Sequence, residues 1–233
     1  MSNKIEFIQQ NIELTQSKTY GFPHLKEGLQ LILFEFDEGI SKSVKNSRKI
    51  QSERTRKWIL KNFQTDLTEK QIEFNAFGKP FISGARAFSI SHTQGFSCIL
   101  ISNLEDVSVG VDFEPLNRAH NNWDRIAKKF FHYKEQVYCK SPEGFIQIWT
   151  RKEAILKALG VGLLDEMNQM DCSSRHFLWN NVAFKYWSKK NTSIYFSSFE
   201  LMGLQFSVAS SSELSQLNYI LYKSMNEVDD HHF

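Results

Sequence analysis

The 233 residues are 41% hydrophobic and 14% aromatic, with 20 Phe. That is enough apolar surface for one large domain or two small ones sharing an interface, and it excludes a collagen-like or disordered chain. The formal charge of +2 demands no polyanionic partner for the chain as a whole.

Cys98, Cys139 and Cys172 form no CxxC pair, which argues against a disulfide framework or a cysteine-rich zinc site and fits a reducing, cytoplasmic setting. The first residues carry no apolar signal-like core, and the longest apolar runs are too short to span a bilayer. The expectation is a soluble intracellular protein.

In chain order, Leu29–Phe36 predicts a buried strand bounded by Asp37, Glu38 and Gly39. Ser41–Phe63 predicts a helix with Ile50, Trp58 and Ile59 at apolar positions. Residues 41–61 carry eight Lys and Arg against one acid, Glu53. Such a helix suits a phosphorylated small molecule, a membrane surface, nucleic acid or plain solvation; without interleaved aromatics, nucleic acid ranks low.

Phe88–Ser91 and Phe96–Ser102 predict short strands around the turn His92-Thr93-Gln94-Gly95. In Val107–Glu114 the residues Val107, Val109, Val111 and Phe113 point one way, and Ser108, Gly110, Asp112 and Glu114 the other; Pro115 is expected to stop the strand. Trp123–Cys139 and Gly144–Leu159 predict helices, the second ending at Gly160. Thr192–Phe199 and Gly203–Ala209 predict strands. The pattern fits α+β or α/β without choosing between them.

Asp112 and Glu114, at i and i+2 on one strand face, have Cα atoms about 6.5–7 Å apart, a spacing that lets both lean onto one hard cation such as Mg²⁺. Two ordinary acids on a solvent-facing edge are the alternative. Glu153 and Lys157 form an i, i+4 pair on a helix face shared with Trp149. That pairing is a common surface device, but a neighbouring Trp argues for a partly covered face.

Ser89-Ile90-Ser91-His92-Thr93 concentrates hydroxyls and an imidazole able to donate to a phosphate. No GxSxG elbow accompanies them to suggest a hydrolase. Gly78-Lys79-Pro80 reads as a tight turn offering one ammonium. His231-His232 beside Asp229-Asp230 reads as a frayed tail with no assigned role.

Taken in order, these segments resemble the 4′-phosphopantetheinyl transferase superfamily, in its larger group where one chain holds two related halves. The carriers are Gly78-Lys79-Pro80, Ser89–Thr93, Val109-Gly110-Val111-Asp112-Phe113-Glu114, Lys129-Phe130-Phe131 with Glu135, and Trp149–Gly160, which fits the pattern WxxKEAxxKxxG. The stretch runs from about Arg48 to Gly162. Phe113 stands where the family more often has Ile.

The resemblance implies an α+β fold of two similar subdomains related by a pseudo-two-fold axis, residues 1–105 and 106–233, each a small sheet on a long helix. Coenzyme A is expected in the cleft between them. The implied reaction moves the phosphopantetheine arm of coenzyme A to a serine of an acyl or peptidyl carrier protein and releases 3′,5′-ADP. Mg²⁺, with Mn²⁺ as a substitute, is expected on Asp112, Glu114 and Glu153, with Glu153 and Lys157 catalytic.

Arg48, Arg56, Lys79, Pro80, Ser91, His92 and Lys157 are the implied coenzyme A contacts. A monomer is implied, with no nucleic acid or membrane partner. The alternatives are a Mg²⁺-dependent nucleotide pyrophosphohydrolase and a non-catalytic binder of coenzyme A or carrier.

Overall fold

The computed structural model describes residues 5–10, 13–16, 28–36, 44–63, 71–118, 122–179, 192–214 and 216–222. In chain order the strands and helices are β1 (Ile5–Gln9), β2 (Glu13–Gln16), β3 (Leu29–Glu35), α1 (Val44–Phe63), β4 (Glu73–Phe74), β5 (Pro80–Phe81), β6 (Phe88–Thr93), β7 (Phe96–Ser102), β8 (Val109–Pro115), α2 (Trp123–Phe130), α3 (Pro142–Leu159), β9 (His176–Trp179), β10 (Thr192–Leu201), β11 (Leu204–Ser210) and β12 (Gln216–Tyr222). A 3-10 turn, Asp165–Gln169, lies between α3 and β9.

One strand–helix–hairpin unit occurs twice. β3, α1 and the hairpin β6–β7 assemble in the sheet order β6-β7-β3; β8, α3 and the hairpin β10–β11 assemble as β10-β11-β8. The full sheets are β2-β12-β3-β7-β6 and β8-β11-β10-β1-β9. This is the mixed α+β architecture expected, with a helix on each sheet.

The strands do not respect the expected boundary at 105/106. β1 pairs in parallel with β10 of the second half, and β12 pairs in parallel with β3 of the first. Hydrophobic runs record that a strand is buried, and carry no mark of which sheet receives it.

Period-two patterning builds the layers. Ile32, Phe34, Ile99 and Ile101 meet Trp58, Ile59 and Phe63 of α1. The alternate residues Leu31, Leu33 and Leu100 face Val109, Val111, Phe113, Phe206 and Val208 between the sheets, where Phe113 and Phe206 stack at 4.8 Å. On the far side of the second sheet, Ile194, Phe196 and Ala209 meet Ala154, Ile155 and Ala158 of α3. Each fully buried Leu, Ile or Phe contributes about 1.5–3 kcal/mol.

α3 begins at Pro142, two residues before the expected Gly144, and ends before Gly160 as expected. Ser141 caps it by accepting from the Gly144 N–H at 3.3 Å, Pro142 occupies the first turn, and Gly160 takes the left-handed conformation (φ 72°). Gly110 lets it approach: a Cβ there would stand 2.0 Å from the Ala154 carbonyl oxygen and 2.3 Å from the Ala158 nitrogen. The acid-bearing face of β8 is therefore covered by a helix, not by solvent.

β8 and α2 also differ from expectation, β8 starting at Val109 instead of Val107. β8 includes Pro115, tolerated on an edge strand that has a partner on one side only. The helix expected over Trp123–Cys139 stops at Phe130. Phe131 turns extended (φ −98°, ψ 143°), and its ring stacks on Phe145 of α3 at 5.1 Å.

Candidate active site

The edges of the two sheets, β6 and β8, meet through side chains. Ser89, Ser91 and Thr93 leave β6 on one side at period two. Ser89 Oγ accepts from the Val111 N–H at 3.1 Å, Ser91 Oγ donates to Asp112 Oδ1 at 2.7 Å, and Thr93 Oγ1 donates to Glu114 Oε2 at 2.9 Å. One hydroxyl thus satisfies an outward backbone N–H of β8, and the other two hold its carboxylates.

The helix α3 adds Lys157 and Glu153. Lys157 Nζ donates to Asp112 Oδ1 at 2.7 Å, to Ser91 Oγ at 3.1 Å and to the Val111 carbonyl at 3.1 Å. The in-helix pairing with Glu153 expected from spacing gives way to this cross-element pair. Burial opposes charge on Lys157, but Asp112 and Glu153 outweigh it and raise its pKa.

Burial pushes Glu153 up to about 7, with the negative charges of Asp112 and Glu114 adding to the push and Lys157 opposing it. Burial and Asp112 likewise raise Glu114, against the pull of Arg118 and Thr93. Three acids from two elements therefore feel one another in a poorly hydrated space.

This surplus of negative charge, together with hard oxygen donors, fits a divalent cation. Among the described residues no three side chains stand ready as a metal-binding group: Lys157 holds Asp112, and Arg118 donates to Glu114.

The expected coenzyme A contacts divide. Ser91 is buried inside the carboxylate network, and alternation sends His92 off the opposite side of β6. They do not form one phosphate clamp. Position 48 lies three residues before Gln51 on α1, which is buried next to the β6–β7 turn, where its side-chain amide reaches the Thr93 carbonyl and Gly95 N–H; the side chain of Arg48 lies outside the described residues.

Arg56 is exposed and sits 5.4 Å from the centre of the Phe74 ring. Lys79 Nζ donates to the Val109 carbonyl at 2.9 Å, and burial lowers its pKa to about 8. A cavity of about 800 Å³ is lined by Lys79, Pro80, Phe81, Arg86, Glu105 and Val107, and does not include Asp112, Glu114 or Glu153.

The sequence hid a second ionic centre. Lys152 and Glu135 are both fully buried and pair at 2.8 Å. Lys152 Nζ also donates to the Met167 and Met170 carbonyls at 2.9 and 2.5 Å, while Glu135 accepts from the His132 and Cys172 N–H groups at 2.8 and 2.5 Å. The Lys-Glu-Ala motif thus points its lysine into the core and its glutamate at the site. The available signal was that the Glu135 and Lys152 segments recur together in the resemblance.

A sequence profile of the 4′-phosphopantetheinyl transferase superfamily matches residues 108–209. The match runs past Gly162, where the recognisable motifs end, and takes in the β10–β11 hairpin. The chain is 33% identical over 100 residues to the 4′-phosphopantetheinyl transferase gsp of Aneurinibacillus migulanus, covering 40% of each chain. Over 162 residues it is 25% identical to the L-aminoadipate-semialdehyde dehydrogenase-phosphopantetheinyl transferase of Candida glabrata, covering 64% of this chain and 63% of the relative.

To the holo-[acyl-carrier-protein] synthase of Campylobacter jejuni it is 33% identical over 85 residues, covering 35% of this chain and 74% of that protein. The chain spans about half the length of the first two relatives, 40% and 63%. On the profile match and the coverage of the Campylobacter protein, the chain belongs to the 4′-phosphopantetheinyl transferase superfamily.

Proposed function

We propose that the chain transfers the 4′-phosphopantetheine arm of coenzyme A to a serine of an acyl or peptidyl carrier protein, as a monomer in the cytoplasm. The observation that supports this reading is the bonding across the two halves of β8, which lies inside the matched region: Lys157 of α3 pairs with Asp112 at 2.7 Å, and Ser91 and Thr93 of β6 donate to Asp112 and Glu114. Both strand–helix–hairpin units lie in one chain, which supports a monomer. Cys98, Cys139 and Cys172 are buried and unpaired, which supports a reducing compartment. Among the described residues no helix is long and apolar enough to cross a membrane.

In the reaction the serine oxygen bonds to the phosphorus carrying the pantetheine arm, and the bond from that phosphorus to the bridging oxygen breaks, releasing 3′,5′-ADP. Asp112, Glu114 and Glu153 would hold Mg²⁺, or Mn²⁺ in its place. When bound, the ion supplies Lewis-acid stabilisation of charge growing on phosphate oxygens. Lys157 exchanges one of its three present partners, Asp112, Ser91 or the Val111 carbonyl, to donate to the departing phosphate.

Glu153, or a water beside it, accepts the serine proton. His92, on the α1 side of β6, and the arginines at positions 48 and 56 supply donors for the nucleotide phosphates.

The test mixes the protein, Mg²⁺, coenzyme A and a panel of apo-carriers, and reads intact mass. A phosphopantetheine increment with stoichiometric 3′,5′-ADP is expected, abolished by chelation and by Asp112→Asn. Coenzyme A cleavage without any carrier would point to a pyrophosphohydrolase instead; binding without turnover would leave a non-catalytic partner of coenzyme A.

A further inference from the structure

The turn at residues 75–80 is tied to the end of α3 by bonds that the proposed chemistry does not use. Asn75 Oδ1 accepts from the Phe77 and Lys79 N–H groups at 3.0 and 2.9 Å, and Gly78 closes the turn with φ 81°. The other end of the same amide donates to the Gly160 carbonyl at 2.7 Å. Lys79 Nζ donates to the Val109 carbonyl at 2.9 Å and makes a longer 3.5 Å approach to the Ala158 carbonyl.

The carbonyls of Ala158 and Gly160 belong to the end of α3, where the helix itself provides no donors and a cation is favoured. A Cβ on Gly160 would stand 3.2 Å from Asn75 Nδ2 and 3.6 Å from Lys79 Cδ, so the pieces are in direct contact. One turn fastens the last residues of α3 to the outer edge of β8.

We propose that Asn75 and Lys79 are positioning residues that fix the height of α3 along β8, and thereby the placement of Glu153 and Lys157 against Asp112 and Glu114. The proposal rests on the reading above, that those four groups carry the reaction. Two adjacent positions on one edge show the coupling: Lys79 holds the Val109 carbonyl, and Lys157 holds the Val111 carbonyl at 3.1 Å. Ala158, which Lys79 also approaches, follows Lys157 directly.

Sliding α3 by a fraction of a turn breaks the 2.7 Å bond between Lys157 and Asp112. Misplacement on the order of 1 Å costs up to about a hundredfold in rate. On this account Lys79 spends its charge on backbone carbonyls and not on the phosphates of coenzyme A.

Two variants isolate the clamp. Asn75→Asp keeps the acceptor for Phe77 and Lys79 and removes the donor to Gly160; Lys79→Met removes the ammonium and keeps an unbranched stem. For each we would measure steady-state transfer to an apo-carrier, calorimetric binding of 3′,5′-ADP, and hydrogen exchange at Leu159 and Gly160. In both, kcat should fall roughly ten- to a hundredfold, while KM for coenzyme A and Kd for 3′,5′-ADP move by less than about twofold.

Exchange at the end of α3 should quicken in both. Lys79→Arg, which still offers N–H donors, should recover most of kcat. Weakened 3′,5′-ADP binding in Lys79→Met alone, with Asn75→Asp normal, would overturn the proposal in favour of a direct nucleotide contact. Unaltered kcat in both variants would also overturn it. If wild-type protein transfers nothing, the functional reading fails on its own account; unchanged exchange in both variants then removes the clamp as well, whereas faster exchange retains it.

Discussion

Removing the charge of Lys152 tests how this fold is held together apart from its chemistry. Both Lys152 and Glu135 have no solvent exposure. In Lys152→Met, Glu135 keeps the N–H donors of His132 and Cys172 but loses its only counter-ion at hydrogen-bonding distance among the described residues, and the Met167 and Met170 carbonyls lose a donor.

Burial already pushes the Glu135 carboxyl up, opposed chiefly by Lys152. Stranding one member of such a pair costs about 3–5 kcal/mol, whereas replacing both by apolar groups is often neutral. At this chain length each kcal/mol moves Tm by about 2–4 °C, so a fall of roughly 6–20 °C is expected by circular dichroism.

Lys152→Met combined with Glu135→Leu should recover most of the loss. The rate per folded molecule should stay within about threefold of wild type, because successive helix residues diverge by about 100° and Lys152 points away from Glu153. A loss under about 1 kcal/mol for the single variant, or a double variant as costly as the two singles summed, would refute the reasoning.

Asp112→Asn should lower transfer by at least about a hundredfold with the melting curve little changed, since the amide still fills the space beside Ser91 and Lys157. Lys157→Met should reduce kcat by about 10²-fold or more, read in the same mass assay, because it removes the donor to the leaving phosphate. Gly110→Ala should destabilise by more than about 3 kcal/mol, or prevent folding, as its methyl meets the Ala154 carbonyl oxygen at 2.0 Å; expression yield and thermal melts would show it. Ser89→Ala leaves the Val111 N–H without its acceptor and should cost about 1–3 kcal/mol by urea unfolding.

Much of the site was legible because local periodicity places side chains. Alternation in Val109–Glu114 put Asp112 and Glu114 on one face, and the Gly160 stop set the end of α3, with Glu153 and Lys157 one turn apart. These features depend on residues close in the chain, so the sequence by itself determined them.

Tertiary structure decided what depends on distant partners. No proline or glycine marks the end of α2 at Phe130; burial of Phe131 against Phe145 and of Glu135 against Lys152 ends it. Lys157 forsakes its helical neighbour for Asp112, and Lys79 turns from solvent to the carbonyls of Val109 and Ala158.

The exchange of β1 and β12 between sheets is likewise invisible in strand patterning, because an unpaired N–H or carbonyl accepts any edge that arrives. Which edge arrives, and which charge finds which partner, is settled only when the two halves close on each other and exclude water.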